Sequence, residues 1–270
     1  MDDFMTSAEA ARFLGVGPTS VKRWADAGWL ECVKTAGGHR RFRREVVLRF
    51  QNGQSGSASA PAEQLDEWIR RISSDLDPHG LQSALLAERA RLGSWTRTAD
   101  LIGQVLVELG ARWCAGSLSV LDEHLATERL TRGLVRCAEA IPLRAGAPRV
   151  LLANAPGDEH TLGLRLAELC LRERGWNVLW GGGSLPVEEL ERILREGGCK
   201  LLGLSAAENA HDADELAAFV RRIGSLAAEC GVELVLGGAG AWPEAGADLP
   251  RFRRVRSFRE LDEQLAVAIG

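Results

Sequence analysis

Several things are missing from this sequence, and each absence removes a class of protein. There is no excess of positive charge: 33 basic side chains stand against 37 acidic ones, a formal net charge of −4 at pH 7, so the chain does not coat nucleic acid by bulk charge. There is no long apolar run; the longest, around Leu201–Ala207, falls far short of the roughly 20 residues that cross a bilayer. The six cysteines include no Cys-x-x-Cys pair and no zinc-finger spacing, so reduced, mostly buried thiols are expected rather than a disulfide scaffold. Met1-Asp2-Asp3 is acidic where a secretory signal is basic, and a cytoplasmic protein without membrane contact is expected. What is present can fold: the 270 residues are 46% hydrophobic and 26% charged, enough to bury a core and long enough for one large or a few small domains.

The charge is unevenly spread. From Ser20 to Arg49 there are eight basic residues (Lys22, Arg23, Lys34, Arg40, Arg41, Arg43, Arg44, Arg49) and three acidic ones (Asp26, Glu31, Glu45), giving +5 and leaving −9 for the other 240 residues. Such asymmetry suggests a separate nucleic-acid-binding module, although a solvated helix face also accounts for it. The local pattern supports the module. Thr6-Ser7-Ala8-Glu9 is a capping box, and Ala10, Ala11, Phe13 and Leu14 follow at helical spacing until Gly15-Val16-Gly17. A second helix is expected over about Pro18–Ala27, with Val21 and Trp24 inward and Ser20, Lys22 and Arg23 outward. Two short helices around a glycine turn form a helix-turn-helix, whose second helix enters the major groove. After Gly28-Trp29-Leu30, the run Thr35–Phe42 reads as a hairpin that lays His39, Arg40 and Arg41 beside the phosphates. For Arg43, Arg44 and Arg49 a solvated helix remains an alternative, and for His39 a structural place in the hairpin.

The remaining chain divides by composition. Residues 1–51 form the basic module, and Asn52–Pro61, small and glycine-rich, reads as a flexible linker. Residues 62–146 carry apolar side chains at helical intervals: Leu65, Trp68, Ile69 and Ile72; Leu81, Leu85 and Leu86; Leu101, Ile102, Val105, Leu106 and Leu109; Leu118, Leu121, Leu125, Leu130 and Leu134. These predict a four-helix bundle with most of the leucines in its core. In residues 147–270 short apolar strands (Arg149–Asn154, Asn177–Trp180, Lys200–Ser205, Val232–Gly237, Phe252–Val255) alternate with amphipathic helices such as Leu162–Arg174, Val187–Glu196 and Asp214–Glu229. That alternation predicts a doubly wound parallel sheet, a Rossmann-like fold that binds ligands beyond the carboxyl ends of its strands.

The loop after the first of these strands reads Gly157-Asp158-Glu159-His160-Thr161-Leu162-Gly163. Asp158 can accept a hydrogen bond from one imidazole nitrogen of His160 and leave the other for a metal, while Gly163 lets a bulky ligand come close. A surface or capping histidine is the plain alternative. In the bundle, Trp113 is followed after nine residues by Glu123-His124, an apolar plate with two polar groups that could cap a ligand; taken alone, a buried tryptophan and an ordinary helical Glu-His pair is the plainer reading. His79 and His211 belong to no motif and are expected at the surface.

Three of these features carry a family resemblance. The module over about residues 4–50, with Ser20-Val21-Lys22-Arg23-Trp24, Gly28-Trp29-Leu30 and Gly37-Gly38-His39-Arg40-Arg41-Phe42, resembles the winged DNA-binding domain of the MerR family. Asp158-x-His160-x-x-Gly163, with Ser205 after the third strand and Gly237-Gly238 after the fourth, resembles the cobalamin-binding signature of methionine synthase and the corrinoid proteins. Trp113-x9-Glu123-His124 is similar to the signature of the CarH and LitR photoreceptor regulators, which join the same three parts in the same order. The resemblance implies a light-responsive repressor. His160 would be the lower cobalt ligand, Ser205, Gly237 and Gly238 the slot for the displaced nucleotide tail, and Trp113, Glu123 and His124 the cover of the upper face. The cofactor implied is adenosylcobalamin, or else methylcobalamin; the partners are a double-stranded DNA operator and further copies of the chain. In the dark the loaded oligomer would grip DNA, and photolysis of the cobalt–carbon bond would release it. A corrinoid methyl-carrier subunit with a fused DNA-binding head, or a light-independent cobalamin sensor, are the alternatives. The chain departs from the family at Cys114, where a histidine is common and a buried structural cysteine is expected; at Glu159, where an arginine can help dimers pair; and at Ser205-Ala206-Ala207, where Ser-x-Leu or Ser-x-Thr is common.

Overall fold

A computed structural model describes residues 4–13, 21–22, 25, 30, 32–35, 38–51, 60–73, 78–183, 185–208, 210–244 and 249–268. The expectations for Ser20, Arg23, Trp24, the turn at Gly15-Val16-Gly17 and most of the linker lie outside these residues. The chain forms two compact units, Met1–Ala58 and Ser59–Gly270.

In the first unit β1 (Phe4–Thr6) leads into α1 (Ser7–Phe13), and β2 (Val33–Lys34) and β3 (Arg40–Arg43) precede α2 (Arg44–Gln51). The strands form an antiparallel sheet in the order β1-β3-β2. Helix α1 starts where the sequence predicts. The Thr6 amide donates to Glu9 Oε2 at 2.7 Å and the Glu9 amide to Thr6 Oγ1 at 3.2 Å, closing the capping box. Ala10, Ala11, Val21, Leu30, Phe42, Val46 and Val47 form a small buried core. Between β2 and β3 the Thr35 amide donates to the His39 carbonyl, and Gly38 takes φ +76°, which a β-carbon would strain.

The second unit begins with four helices: α3 (Ala62–Ser73), α4 (Pro78–Leu92), α5 (Trp95–Cys114) and α6 (Val120–Glu139). Their core contains Trp68, Ile72, Leu81, Leu85, Ile102, Leu109, Leu130 and Leu134. Three of the expected core leucines are not in it: Leu86, on α4, is 42% exposed, and on α6 Leu121 is 65% and Leu125 38% exposed. The two on α6 have a common cause. They lie in the first turns of α6, where no other helix of the bundle covers them, whereas Leu130 and Leu134 further along are fully buried.

The sheet follows as β4 (Arg149–Asn154), β5 (Asn177–Gly182), β6 (Leu201–Ser205), β7 (Glu233–Gly237) and β8 (Arg253–Arg254). All are parallel, in the order β5-β4-β6-β7-β8. Helices α7 (Leu162–Glu173), α8 (Val187–Arg195), α9 (Ala213–Glu229) and α10 (Phe258–Ala268) make the crossovers and the closing element. Leu151, Leu204, Leu234 and Leu236 pack on one face with α8 and α9; Val150, Leu152, Leu201 and Val235 pack on the other with α7 and α10. The doubly wound, Rossmann-like architecture is therefore present, and its strand order reverses between β4 and β6. Helix α7 serves two cores: Leu166, Leu169 and Cys170 join the bundle, while Leu164 and Leu171 join the sheet. Among the described residues no helix is long and apolar enough to cross a membrane.

Candidate functional site

The candidate site lies at the reversal of strand order, where folds of this class bind ligands in a crevice between the loops, here those after β4 and β6. The loop after β4 is tied across that crevice. Asp158 is 2% exposed; its Oδ1 accepts from the His160 amide at 2.9 Å and lies 2.8 Å from His160 Nδ1, while its Oδ2 accepts from the Ala207 amide at 2.6 Å. Burial pushes the carboxyl up, but the two amides and the imidazole outweigh it and hold Asp158 below its ordinary value. An ionised carboxylate can only accept, so the imidazole must carry its proton on Nδ1. The ring is 77% exposed, and Nε2, with its lone pair, makes no hydrogen bond among the described residues. Asn154, fully buried at the end of β4, donates through Nδ2 to the Asp158 carbonyl at 2.8 Å and fixes the loop from below.

Around this imidazole the glycines divide by function. A β-carbon on Gly163 would meet nothing within 4 Å, so the space over the start of α7 is open. On Gly238, at φ +79°, it would fall 2.3 Å from the Ala206 carbonyl oxygen and 2.8 Å from Ser205 Oγ, so Ser205 and Gly238 do come together. On Gly237 it would make ordinary contact with Val255 at 3.5 Å. Only the second member of the Gly-Gly pair is sterically demanded. A β-carbon on Gly240 would also collide, 2.5 Å from that of Ala206, and one on Gly183 would be tight, 3.1 Å from the Asp158 carbonyl oxygen; sequence reasoning marked neither. Trp242 donates through Nε1 to the Gly237 carbonyl at 2.6 Å and anchors the loop after β7.

Trp113, Glu123 and His124 sit together in the chain's course, in the last turn of α5 and the first turns of α6, joined by a five-residue loop, Ala115–Ser119. No side-chain hydrogen bond joins them among the described residues. Trp113 is 47% exposed, and Val120, Leu121 and Leu125 in the first turns of α6 are exposed too. Cys114 is exposed, not buried as expected, because it ends α5 beyond the packed part of the helix. Cys137, Cys170 and Cys199 are the buried thiols; burial pushes Cys137 up to about 12 and Cys170 and Cys199 upward too. His79 is at the surface, beside Arg136, but His211 is largely buried with Nε2 lacking a hydrogen-bond partner.

In the first unit Lys22, His39, Arg40 and Arg41 line one groove of about 520 Å³ together with Thr6, Ser7, Ala8 and Gly38. The hairpin therefore brings its basic side chains to the same hollow as Lys22. Arg43 and Arg44 are not simply solvated; they lie over the rings of Phe4 and Phe13, at 5.5 and 5.8 Å from the centroids.

Comparison with known proteins follows this division. Residues 4–55 match the model of a helix-turn-helix domain. The chain is 30% identical over 219 residues to the HTH-type transcriptional repressor CarH of Myxococcus xanthus, covering 80% of this chain and 67% of that one. The HTH-type transcriptional repressor CarA of the same organism is 33% identical over 87 residues, 32% of this chain and 28% of its own. Among solved structures, the monomethylamine corrinoid protein of Methanosarcina barkeri superposes with a TM-score of 0.56 at 16% identity, over 78% of this chain and 100% of that one, a likeness of fold. With a helix-turn-helix at its start and a repressor relative aligned along most of its length, the chain belongs to the family of HTH-type transcriptional repressors represented by CarH, regulators and not enzymes.

Proposed function

We propose that this repressor is a cytoplasmic, cobalamin-dependent light switch. The observation that carries the reading is the Asp158–His160 pair: an exposed imidazole whose tautomer is set by a buried carboxylate, with Nε2 directed away from its support at the ligand-binding edge of the sheet. The residues around it fit a large flat cofactor with a tail. The space over Gly163 is open, and Gly238 and Ser205 pack closely enough to wall a narrow slot. In this reading His160 ligates cobalt through Nε2, and Ser205, Gly237 and Gly238 receive the nucleotide tail. Trp113, with Glu123 and His124, covers the upper face, and the exposure of Val120, Leu121 and Leu125 beside it suits a surface that meets a ligand. Bound adenosylcobalamin, or methylcobalamin, supplies a cobalt–carbon bond that green light cleaves.

The bundle (62–146) and sheet (147–270) then act as the sensor, and residues 1–51 as the DNA reader. Ser20, Lys22, Arg23, His39, Arg40 and Arg41 hold an operator duplex, phosphates first. A single small reader binds weakly, and a homo-oligomer formed through the loaded sensor gathers several readers and multiplies affinity by effective concentration. Losing the group under Trp113 changes the surface of the bundle end and with it the oligomer.

The test is reconstitution of the full chain with adenosylcobalamin, followed by absorption spectra, light-scattering mass and gel retardation of operator DNA in darkness and after green light. The expected result is a histidine-ligated spectrum and DNA retardation that fall together on illumination. His160→Ala is expected to lose that spectrum and most of the cofactor affinity. DNA binding indifferent to both cofactor and light would overturn the reading.

A further inference from the structure

Arg254 lies on the edge strand β8 and reaches past the end of β7. Its Nη2 donates to the carbonyls of Gly238 at 3.1 Å and Gly240 at 3.2 Å. Its Nη1 is buried and has no hydrogen-bond partner. The arginines on either side are paired, Arg253 with Glu233 at 3.3 Å and Arg256 with Glu244 at 3.6 Å, whereas no described carboxylate comes within ion-pair distance of Arg254. Burial, reinforced by the Arg256 charge, pushes the guanidinium down to about 10, although Glu244 and Glu260 pull it upward. Arg254 as a whole is half-buried, but a guanidinium nitrogen sealed from water and left unpaired is costly unless an acceptor completes it.

The place of this cation narrows the anion. Gly238, whose carbonyl Arg254 holds, is the residue that packs on Ser205 and Ala206. The guanidinium therefore stands at the rim of the slot assigned above to the nucleotide tail, and the anionic part of that tail is a phosphodiester. We propose that Arg254 is the anion-holding residue of the slot: Nη2 fixes the Gly238–Gly240 loop while Nη1 takes a phosphodiester oxygen. The inference rests on the cobalamin reading, but it can fail separately.

Methylcobalamin and methylcobinamide share a corrin and an upper ligand, and only the former has the nucleotide tail. Titrated into the full-length wild type, methylcobalamin is expected to bind at least about tenfold more tightly. Arg254→Gln, which keeps a donor for the glycine carbonyls but no charge, is expected to lose about tenfold or more for methylcobalamin and to leave methylcobinamide unchanged. Arg254→Lys is expected to lose less, and it decides the matter by the same two titrations if Arg254→Gln does not fold. Equal losses for both ligands would reduce Arg254 to a brace of the loop and overturn the proposal, as would no loss for either. A wild type that binds neither ligand would overturn the cobalamin reading as well; one that binds both equally would overturn only the role of Arg254.

Discussion

Asp158 shows what a single carboxylate can organise when it is buried with enough donors. One oxygen orients the imidazole two residues away, and the other ties the loop after β4 to the loop after β6 through the Ala207 amide. The first half of this arrangement was legible, because Asp158 and His160 are neighbours in the chain. The second was not, since forty-nine residues separate Asp158 from Ala207 and only the sheet brings them together. The glycine pair shows the same limit. Sequence treats Gly237 and Gly238 alike, while backbone angle and packing separate them. Gly238→Ala is expected to destabilise the chain by about 2–3 kcal/mol in thermal melts, from left-handed strain and the collision with Ala206, and Gly237→Ala by under about 1 kcal/mol. Asp100 offers a test by pH. Burial pushes its carboxyl up to about 6 from an ordinary 3.8, with the Phe258 amide and Arg259 opposing. The folded state thus holds a proton that the unfolded chain has released between those values. The contribution to stability is complete below the lower value and is lost as pH rises through the upper one. Asp100→Asn is expected to match wild type in urea midpoint near about pH 4 and to exceed it near about pH 8. The shift sets a ceiling of about 3 kcal/mol, which partial solvent screening reduces to about 1–2 kcal/mol.

At the scale of elements, periodicity located the strands and helices of the second unit closely. Arg149–Asn154 is reproduced, and Lys200–Ser205 loses only its first residue. The last strand shrinks from Phe252–Val255 to Arg253–Arg254, because an edge strand pairs on one side only and its ends find no partner. The error in α6 is more instructive. Leu121, Leu125, Leu130 and Leu134 share a helical pattern, and a pattern cannot tell an apolar face that meets another helix from one that meets a ligand or a second molecule. Stability measurements can. Leu169→Ala, on α7, is expected to cost about 2–5 kcal/mol, because that side chain is fully buried in the bundle core. Leu121→Ala is expected to change the stability of the cofactor-free chain by less than about 0.5 kcal/mol.

For the whole molecule, the division of charge mattered more than its sum. A chain of net −4 carries +5 within thirty residues, and that basic stretch supplies a groove in which Lys22, His39, Arg40 and Arg41 converge. If the groove holds backbone phosphates, Lys22→Ala and Arg41→Ala are each expected to weaken binding to all DNA sequences alike and to lower the slope of log K against log salt by about one, measured by fluorescence anisotropy. A loss confined to one operator sequence would assign them to base recognition instead. The resemblance to known regulators was legible because three short motifs lie far apart in sequence yet keep family order; the hold of Arg254 on the Gly238 and Gly240 carbonyls was not, because an arginine in an edge strand has no pattern to mark it.

The double allegiance of α7 has a mechanical consequence. The helix starts two residues after His160 and is gripped along its length by both hydrophobic layers, with Leu166, Leu169 and Cys170 on one side and Leu164 and Leu171 on the other. A rod held on opposite flanks cannot tilt without prising one of them open. The loop that carries His160 is therefore tethered through a rod about 18 Å long to the bundle, where Glu173 at the far end of α7 accepts from Arg89 and from the Trp95 amide.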